Sequence, residues 1–223
     1  MDFNQLNIFD ARIKAPFSMI IAGPSNCGKT SFVANLLHNS INLISSNLDY
    51  IIWCYGQSIP KDVKLKDKDI YYIDRIPDNF DNLIDSNKHG LVIFDDLMDE
   101  CNNNKSISHF FTKRSHHENV SIIFITQNFF SEGKERRTFT KNAKYLVIFN
   151  SPLDQTIALY LAVKVMPKYK KAFHDIFAYV TKDPYSYLLI DGHQETPKEA
   201  MLRSNIFDEV QHIFFPIIKN KYN

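Results

Sequence analysis

The sequence predicts an α/β fold, a three-layer sandwich whose mainly parallel central sheet is covered by helices. Two observations predict it. Short apolar runs rich in β-branched residues recur along the chain with helical stretches between them, the pattern of buried parallel strands joined by crossovers. The turn between the first run and the first helical stretch is Gly23-Pro-Ser-Asn-Cys-Gly-Lys-Thr30, which fits G-x-x-x-x-G-K-[ST] at every position.

Taken in order, strands are expected at Phe17–Ala22, Tyr50–Tyr55, Ile70–Ile73, Leu91–Phe94, Val120–Thr126, Tyr145–Phe149 and Tyr187–Ile190. Helices are expected at Thr30–His38, Asn79–Ser86, Ser106–Ser115, Gln155–Val165 and Tyr169–Thr181, with Asp78 and Asp154 standing where N-caps belong. Glu199–Phe207 reads as an edge strand, and Asp208–Ile218 as a terminal helix interrupted at Pro216. No repeat and no linker rich in Gly, Pro or Ser divides the chain. Residues 1–223 therefore read as one domain with its core at about 16–207. Segments 99–105 (DECNNNK) and 128–141 read as exposed loops, long enough to serve a function.

Composition narrows the classes of function. At 44% hydrophobic and 23% charged, the chain suits a globular domain and not a disordered or disulfide-scaffold protein. A net charge of +1 argues against a broad basic surface that coats nucleic acid, so any such contact is local or repeated over several copies. Cys27, Cys54 and Cys101 cannot all pair, and they read as reduced thiols. Cys101, His109, His116 and His117 match no zinc pattern. No apolar run is long enough for a transmembrane helix, and the start MDFNQLNIFD lacks the features of a signal peptide. A soluble intracellular protein is the expectation.

The glycine-rich turn has the chemistry of a phosphate cradle, the P-loop or Walker A motif. Glycines let backbone N–H groups turn inward toward phosphate oxygens, and the following helix adds its positive end. Gly23, Pro24, Ser25, Asn26, Cys27, Gly28, Lys29, Thr30 and Ser31 form the expected nucleotide site. Lys29 would reach the β- and γ-phosphates of ATP, and the Thr30 hydroxyl would bind Mg²⁺. Downstream, Leu91-Val-Ile-Phe-Asp95-Asp96 is a strand closed by two carboxylates, as in a Walker B motif. Asp95 suits a water-mediated hold on Mg²⁺, and Asp96 suits activation of the attacking water, or else a helix N-cap. The two motifs are far enough apart to hold further strands, which predicts the additional-strand (ASCE) type of P-loop NTPase. In that type, the strand inserted between the two motif strands carries a polar sensor. Gln127, which closes Val120–Thr126, fits that role.

GPSNCGKTSF, LVIFDDLMDE and VSIIFITQNFF, followed by RRTFTKNAKYLVIFNSPLD, resemble the genome-packaging ATPases of double-stranded DNA viruses in the FtsK–HerA superfamily. The nearest likeness is to the poxvirus-type packaging ATPases, including those of virophages and of Polinton or adintovirus elements. KYLVIFNSPLDQ, DPYSYLLIDG and LRSNIF are its most specific pieces. The resemblance implies an ATP-driven translocase of double-stranded DNA. Such a protein works as a hexameric or pentameric ring, meets the capsid vertex proteins, and acts inside the infected cell where virions assemble. It assigns Lys29 and Thr30 to Walker A, Asp95 and Asp96 to Walker B, and Gln127 to the sensor. Many relatives in the wider superfamily have Glu where Asp96 stands.

A ring ATPase needs a cation from a neighbouring subunit at the γ-phosphate. Only six of the 26 basic residues are Arg, the residue suited to that planar contact. Arg136 and Arg137 are the first candidates and Arg203 is another; Arg203 could equally anchor the last strand. For nonspecific DNA backbone contact the candidates are Lys134 and Lys141 beside the arginine pair, and Lys113 with Arg114. Two other functions share the phosphate loop: a small-molecule nucleotide kinase, and a nucleotide-gated DNA-binding scaffold with little turnover.

Overall fold

The computed structural model describes residues 9–60, 63, 65, 69–77, 79–80, 82–97, 100, 119–127, 129 and 141–216. Nine strands form one sheet in the order β3-β2-β4-β5-β1-β6-β7-β8-β9. They are β1 (Ser18–Ala22), β2 (Tyr50–Tyr55), β3 (Ile70–Ile73), β4 (Gly90–Asp95), β5 (Val120–Thr126), β6 (Tyr145–Phe149), β7 (Tyr187–Asp191), β8 (Leu202–Ser204) and β9 (His212–Phe214). From β3 to β6 every neighbouring pair is parallel, and from β6 to β9 every pair is antiparallel.

The described helices are α1 (Lys29–His38), α2 (Ser40–Leu43), α3 (Thr156–Val165) and α4 (Lys170–Val180). Alternation along the strands separates two cores. Met19 and Ile21 face the side on which α1 buries Phe32, Val33, Leu36 and Leu37. Ile20 and Ala22 face the other, where α3 contributes Ile157 and Leu161, and α4 contributes Phe173 and Phe177. A strand buried on both faces needs apolar residues at every position, and β1 is buried from end to end.

β5 lies between β1 and β4, as the additional-strand type requires. The predicted strands Phe17–Ala22 to Tyr187–Ile190 all form, with ends within a residue of expectation. Three expectations are corrected. Asn79–Ser86 is not a helix in its described residues: Phe80 anchors a turn through hydrogen bonds from the Leu83 and Ile84 N–H groups. One buried aromatic in so short a stretch does not offset the cost of nucleating a helix.

The stretch read as an edge strand over 199–207 has a 3₁₀ turn at Lys198–Ala200 and only the short β8, which is not the edge. The terminal helix expected over 208–218 is replaced in its described part by β9, paired antiparallel to β8. Asn205, at a left-handed φ of 55°, turns the chain back. The β-prone run His-Ile-Phe then completes backbone hydrogen bonds along β8. The helix expected over 106–115 and the cap at 78 lie outside the described residues, as do 101–105 and 130–140 of the expected loops. The N-cap of α3 is Gln155, one residue after the expected Asp154, whose Oδ1 accepts the Thr156 N–H at 2.9 Å from just outside the helix.

Arg203 is a structural residue. Its guanidinium is buried and donates to Asp191 Oδ2 at 2.6 Å and to the carbonyl of Ala11, tying the N-terminal segment to β7 and β8. Its burial and its pairing with Asp191 remove it as a cation for a neighbouring subunit. Arg203→Met leaves a buried carboxylate without its ion pair and should cost about 3–5 kcal/mol in urea unfolding. The double change Asp191→Asn with Arg203→Met should recover at least half of that loss, and an equal loss in both variants would contradict the assignment.

Candidate functional site

The parallel register brings three strand ends to one edge of the sheet. Asp95 on β4 stands beside Ile125 on β5, and Thr126 on β5 stands beside Ala22 on β1. Ladder-like bonds continue past the strands: Gly23 N–H donates to Thr126 O at 3.3 Å, Asp96 N–H to Ile125 O at 3.1 Å, and Gly56 N–H to Asp95 O at 3.1 Å. The phosphate loop, the acidic pair and the sensor glutamine therefore leave the sheet side by side.

Both glycines of the loop motif have a local reason. A Cβ on Gly23 would stand 2.6 Å from Phe149 Cβ on β6 and 2.8 Å from Cys27 Sγ, so only glycine fits against that neighbour. Gly28 has φ +102° at the entry to α1, where an L side chain is strained. Lys29, the first residue of α1, folds its ammonium back over the loop and donates to Gly23 O at 2.8 Å and Pro24 O at 2.7 Å. Burial pulls this ammonium below the ordinary lysine range. Cys27 is half-buried, and burial pushes its thiol up, so it fills space beneath Gly23 as a neutral thiol and not as a reactive thiolate.

A row of side-chain hydrogen bonds joins the loop to the acidic pair. Ser25 Oγ donates to Gln127 Oε1 at 2.7 Å, and Gln127 Nε2 donates to Asp96 Oδ2 at 3.0 Å. The same Asp96 oxygen accepts Gln57 Nε2 at 2.9 Å. Asp96 is exposed and sits at a left-handed φ of 57°, which Asp tolerates better than most residues. Its carboxylate faces the two glutamines. Asp95 has a different environment: Trp53 Nε1 donates to its Oδ2 at 3.2 Å, yet burial dominates and pushes the carboxyl above the usual carboxylate range. A cleft of about 360 Å³ is lined by Ser25, Lys29, Thr30, Gln57, Asp95 and Asp96 among others.

The structure thus gathers Ser25, Asn26, Lys29, Thr30, Asp95, Asp96 and Gln127 around one cleft. Residues 113, 114, 134, 136 and 137, expected as DNA contacts or as the transferred cation, lie outside the described residues, as do 101, 109, 116 and 117. Lys141 is described and exposed. Two hydrogen-bond partners of the acidic pair were not anticipated. Trp53 and Gln57 belong to β2 and its following loop, and only the pairing of β2 with β4 brings them to the acids. The signal in the sequence was a strand ending in Tyr-Gly-Gln, a polar residue at a strand end like Gln127, without anything to say which strand it neighbours.

Residues 7–182 match the family model described as Poxvirus A32 protein. A comparison with curated protein sequences finds no match. The genome packaging NTPase B204 from Sulfolobus turreted icosahedral virus 2, in complex with AMP, superposes with a TM-score of 0.57 at 14% identity, over 91% of this chain and 98% of that one. Its ATP-gammaS complex gives 0.55 at 13%, with the same coverage. B204, the DNA-packaging ATPase from Sulfolobus turreted icosahedral virus, gives 0.55 at 13%, over 92% of this chain and all of that one. At such identities the likeness is one of fold, and the fold is that of a P-loop NTPase with a mainly parallel sheet.

The buried Asp95 yields a pH test. Its raised value means that the folded chain holds this proton more tightly than the unfolded chain, so stability falls as pH rises through the ordinary carboxylate range to the raised value. Asp95→Asn removes the buried charge at nearly constant volume. Its thermal midpoint should exceed that of wild type by about 2–4 °C at pH 7, with the gain shrinking toward pH ~4. Equal midpoints at pH 7 would contradict the burial cost.

Proposed function

Because the chain belongs to the Poxvirus A32 protein family, we propose that it is an ATPase that translocates double-stranded DNA and packages a viral or virus-like genome into a preformed capsid. The observation that carries this reading is the hydrogen-bonded row Ser25–Gln127–Asp96, which joins a phosphate loop to a paired-acid strand through a polar residue on the strand between them. A phosphate loop alone would suit a kinase as well. A sensor that touches both the loop and the acid supports hydrolysis, because its amide can bond a phosphate oxygen and the lytic water.

Gly23, Pro24, Ser25, Asn26, Cys27, Gly28 and Ser31 would cradle the phosphates of ATP beside Lys29 and Thr30. Mg²⁺ fits the donors present: the Thr30 hydroxyl and the Asp95 carboxylate line one cleft, and a dication there would offset the cost that burial places on the charged form of Asp95. When bound, the ion would neutralise charge developing on the β- and γ-phosphates. Lys29 would exchange the carbonyls of Gly23 and Pro24 for phosphate oxygens, a stronger and charge-assisted contact. Asp96 would take the proton of the attacking water, and Gln127 would hold that water in line.

The transferred cation is assigned to Arg136 or Arg137 of a neighbouring subunit. Lys134 and Lys141, with Lys113 and Arg114, would contact the DNA backbone without reading sequence. A hexameric or pentameric ring would repeat this small patch, which suits a net charge of only +1. In this reading residues 1–223 act as one ATPase domain, working with capsid vertex proteins at sites of virion assembly in the infected host cell. Among the described residues no helix is long and apolar enough to cross a membrane.

The test is ATP hydrolysis with and without duplex DNA. Wild type should hydrolyse ATP faster with DNA, Lys29→Ala should lose about 10²-fold or more in rate, and Arg137→Ala subunits mixed into wild type should poison the activity if Arg137 is the transferred cation. Phosphate transfer to a nucleoside monophosphate in place of hydrolysis would overturn the proposal.

A further inference from the structure

Gln57 lies outside every motif, yet its amide reaches the same Asp96 oxygen as the sensor does. The Gln57 and Gln127 Nε2 atoms stand 2.9 Å and 3.0 Å from Asp96 Oδ2. A carboxylate only accepts, so both glutamines must present their nitrogen to it. Two donors on one oxygen hold the carboxyl plane and leave Oδ1 for another partner. An aspartate that activates water has one methylene fewer than a glutamate with which to reach it. Its reaction geometry therefore depends on how the plane is held.

The backbone is built to make this contact. Gly56 N–H donates to Asp95 O at 3.1 Å, and a Cβ on Gly56 would stand 3.2 Å from Asp96 O. The end of β2 thus lies against the end of β4 with almost no space between, and the next residue is the one whose side chain bridges to the acid. Gln57 also lines the cleft, together with Ser25 and Lys29. The loop after β2 and the phosphate loop consequently reach Asp96 from two sides, one through Gln57 and the other through Ser25 and Gln127.

We infer that Gln57 is a positioning residue for ATP hydrolysis, holding the Asp96 carboxylate so that its free oxygen meets the attacking water. This rests on the reading of Asp96 as the group that takes the water's proton. Gln57 itself need not touch the nucleotide.

The experiment is a mutant cycle on the full chain, with ATP hydrolysis followed at steady state and in single turnover. Gln57→Leu keeps most of the side chain's bulk and removes its donors. It should lower kcat about tenfold or more while KM for ATP stays within about twofold, since the residue acts on the chemical step and not on uniform binding. Gln57→Ala should do the same, and the thermal midpoints of both should match wild type because the side chain is exposed. In an Asp96→Asn background, Gln57→Leu should change the residual single-turnover rate by less than about twofold, because a residue acting through another loses its effect when that other is gone.

An unchanged kcat in Gln57→Leu, a rise in KM with kcat intact, or the same tenfold loss in both backgrounds would overturn the inference while leaving Asp96 its role. Asp96→Asn with the kcat of wild type would instead remove the reading on which it rests, and the inference with it.

Discussion

Backbone hydrogen bonds among β1, β5 and β4 set three strand ends at one height, and the chemistry of the site depends on that alignment. A slip of one residue in a parallel pair would turn every side chain of the strand to the opposite face. β5 is buried along its whole length, so either face would refuse such a slip. Because Ala22 stands by Thr126 and Ile125 by Asp95, the residues that follow each strand emerge as neighbours. Ser25, Gln127 and Asp96 can then be joined by side chains of ordinary length. No long loop has to search for its partner.

The same alignment places costly groups together. Lys29 and Asp95 are both held where burial disfavours their charges, and burial shifts each toward its neutral form. Lys29 offsets part of that cost through the two carbonyls of its own loop, and Asp95 through Trp53. Such groups weaken the domain at rest, and they gain most from a polyanion with its counterion in the cleft. The stability of the domain lies elsewhere, in two apolar layers on either face of the sheet and in the buried pair Arg203–Asp191.

Much of this was legible in the sequence because the chemistry is local. A phosphate loop needs its glycines, lysine and threonine contiguous, and a Walker B strand announces itself by apolar residues ending in acid. The additional strand followed from spacing, and Gln127 from its place at a strand end. What escaped depends on contacts between distant residues. Gln57 meets Asp96 only because β2 pairs with β4, which no local pattern states. Arg203 resembled a candidate for the transferred cation until Asp191 and Ala11 were found to hold it inside. The end of the chain had apolar residues that suit a helix about as well as a strand, and the open edge of β8 decided for a strand. Around Phe80 one fully buried ring, with the partly buried Ile84, held a turn where a helix would have had little to bury.

A motor that moves along duplex DNA must do more than hydrolyse ATP. Displacement of a third strand from a DNA triplex measures that movement directly, because a translocase travelling on the duplex strips the bound oligonucleotide. For the proposed motor, displacement should need ATP and Mg²⁺, fail when ATP is replaced by a nonhydrolysable analogue, and slow steeply with salt as backbone contacts are screened. Brisk hydrolysis of ATP by an assembled ring that leaves the triplex intact would contradict it.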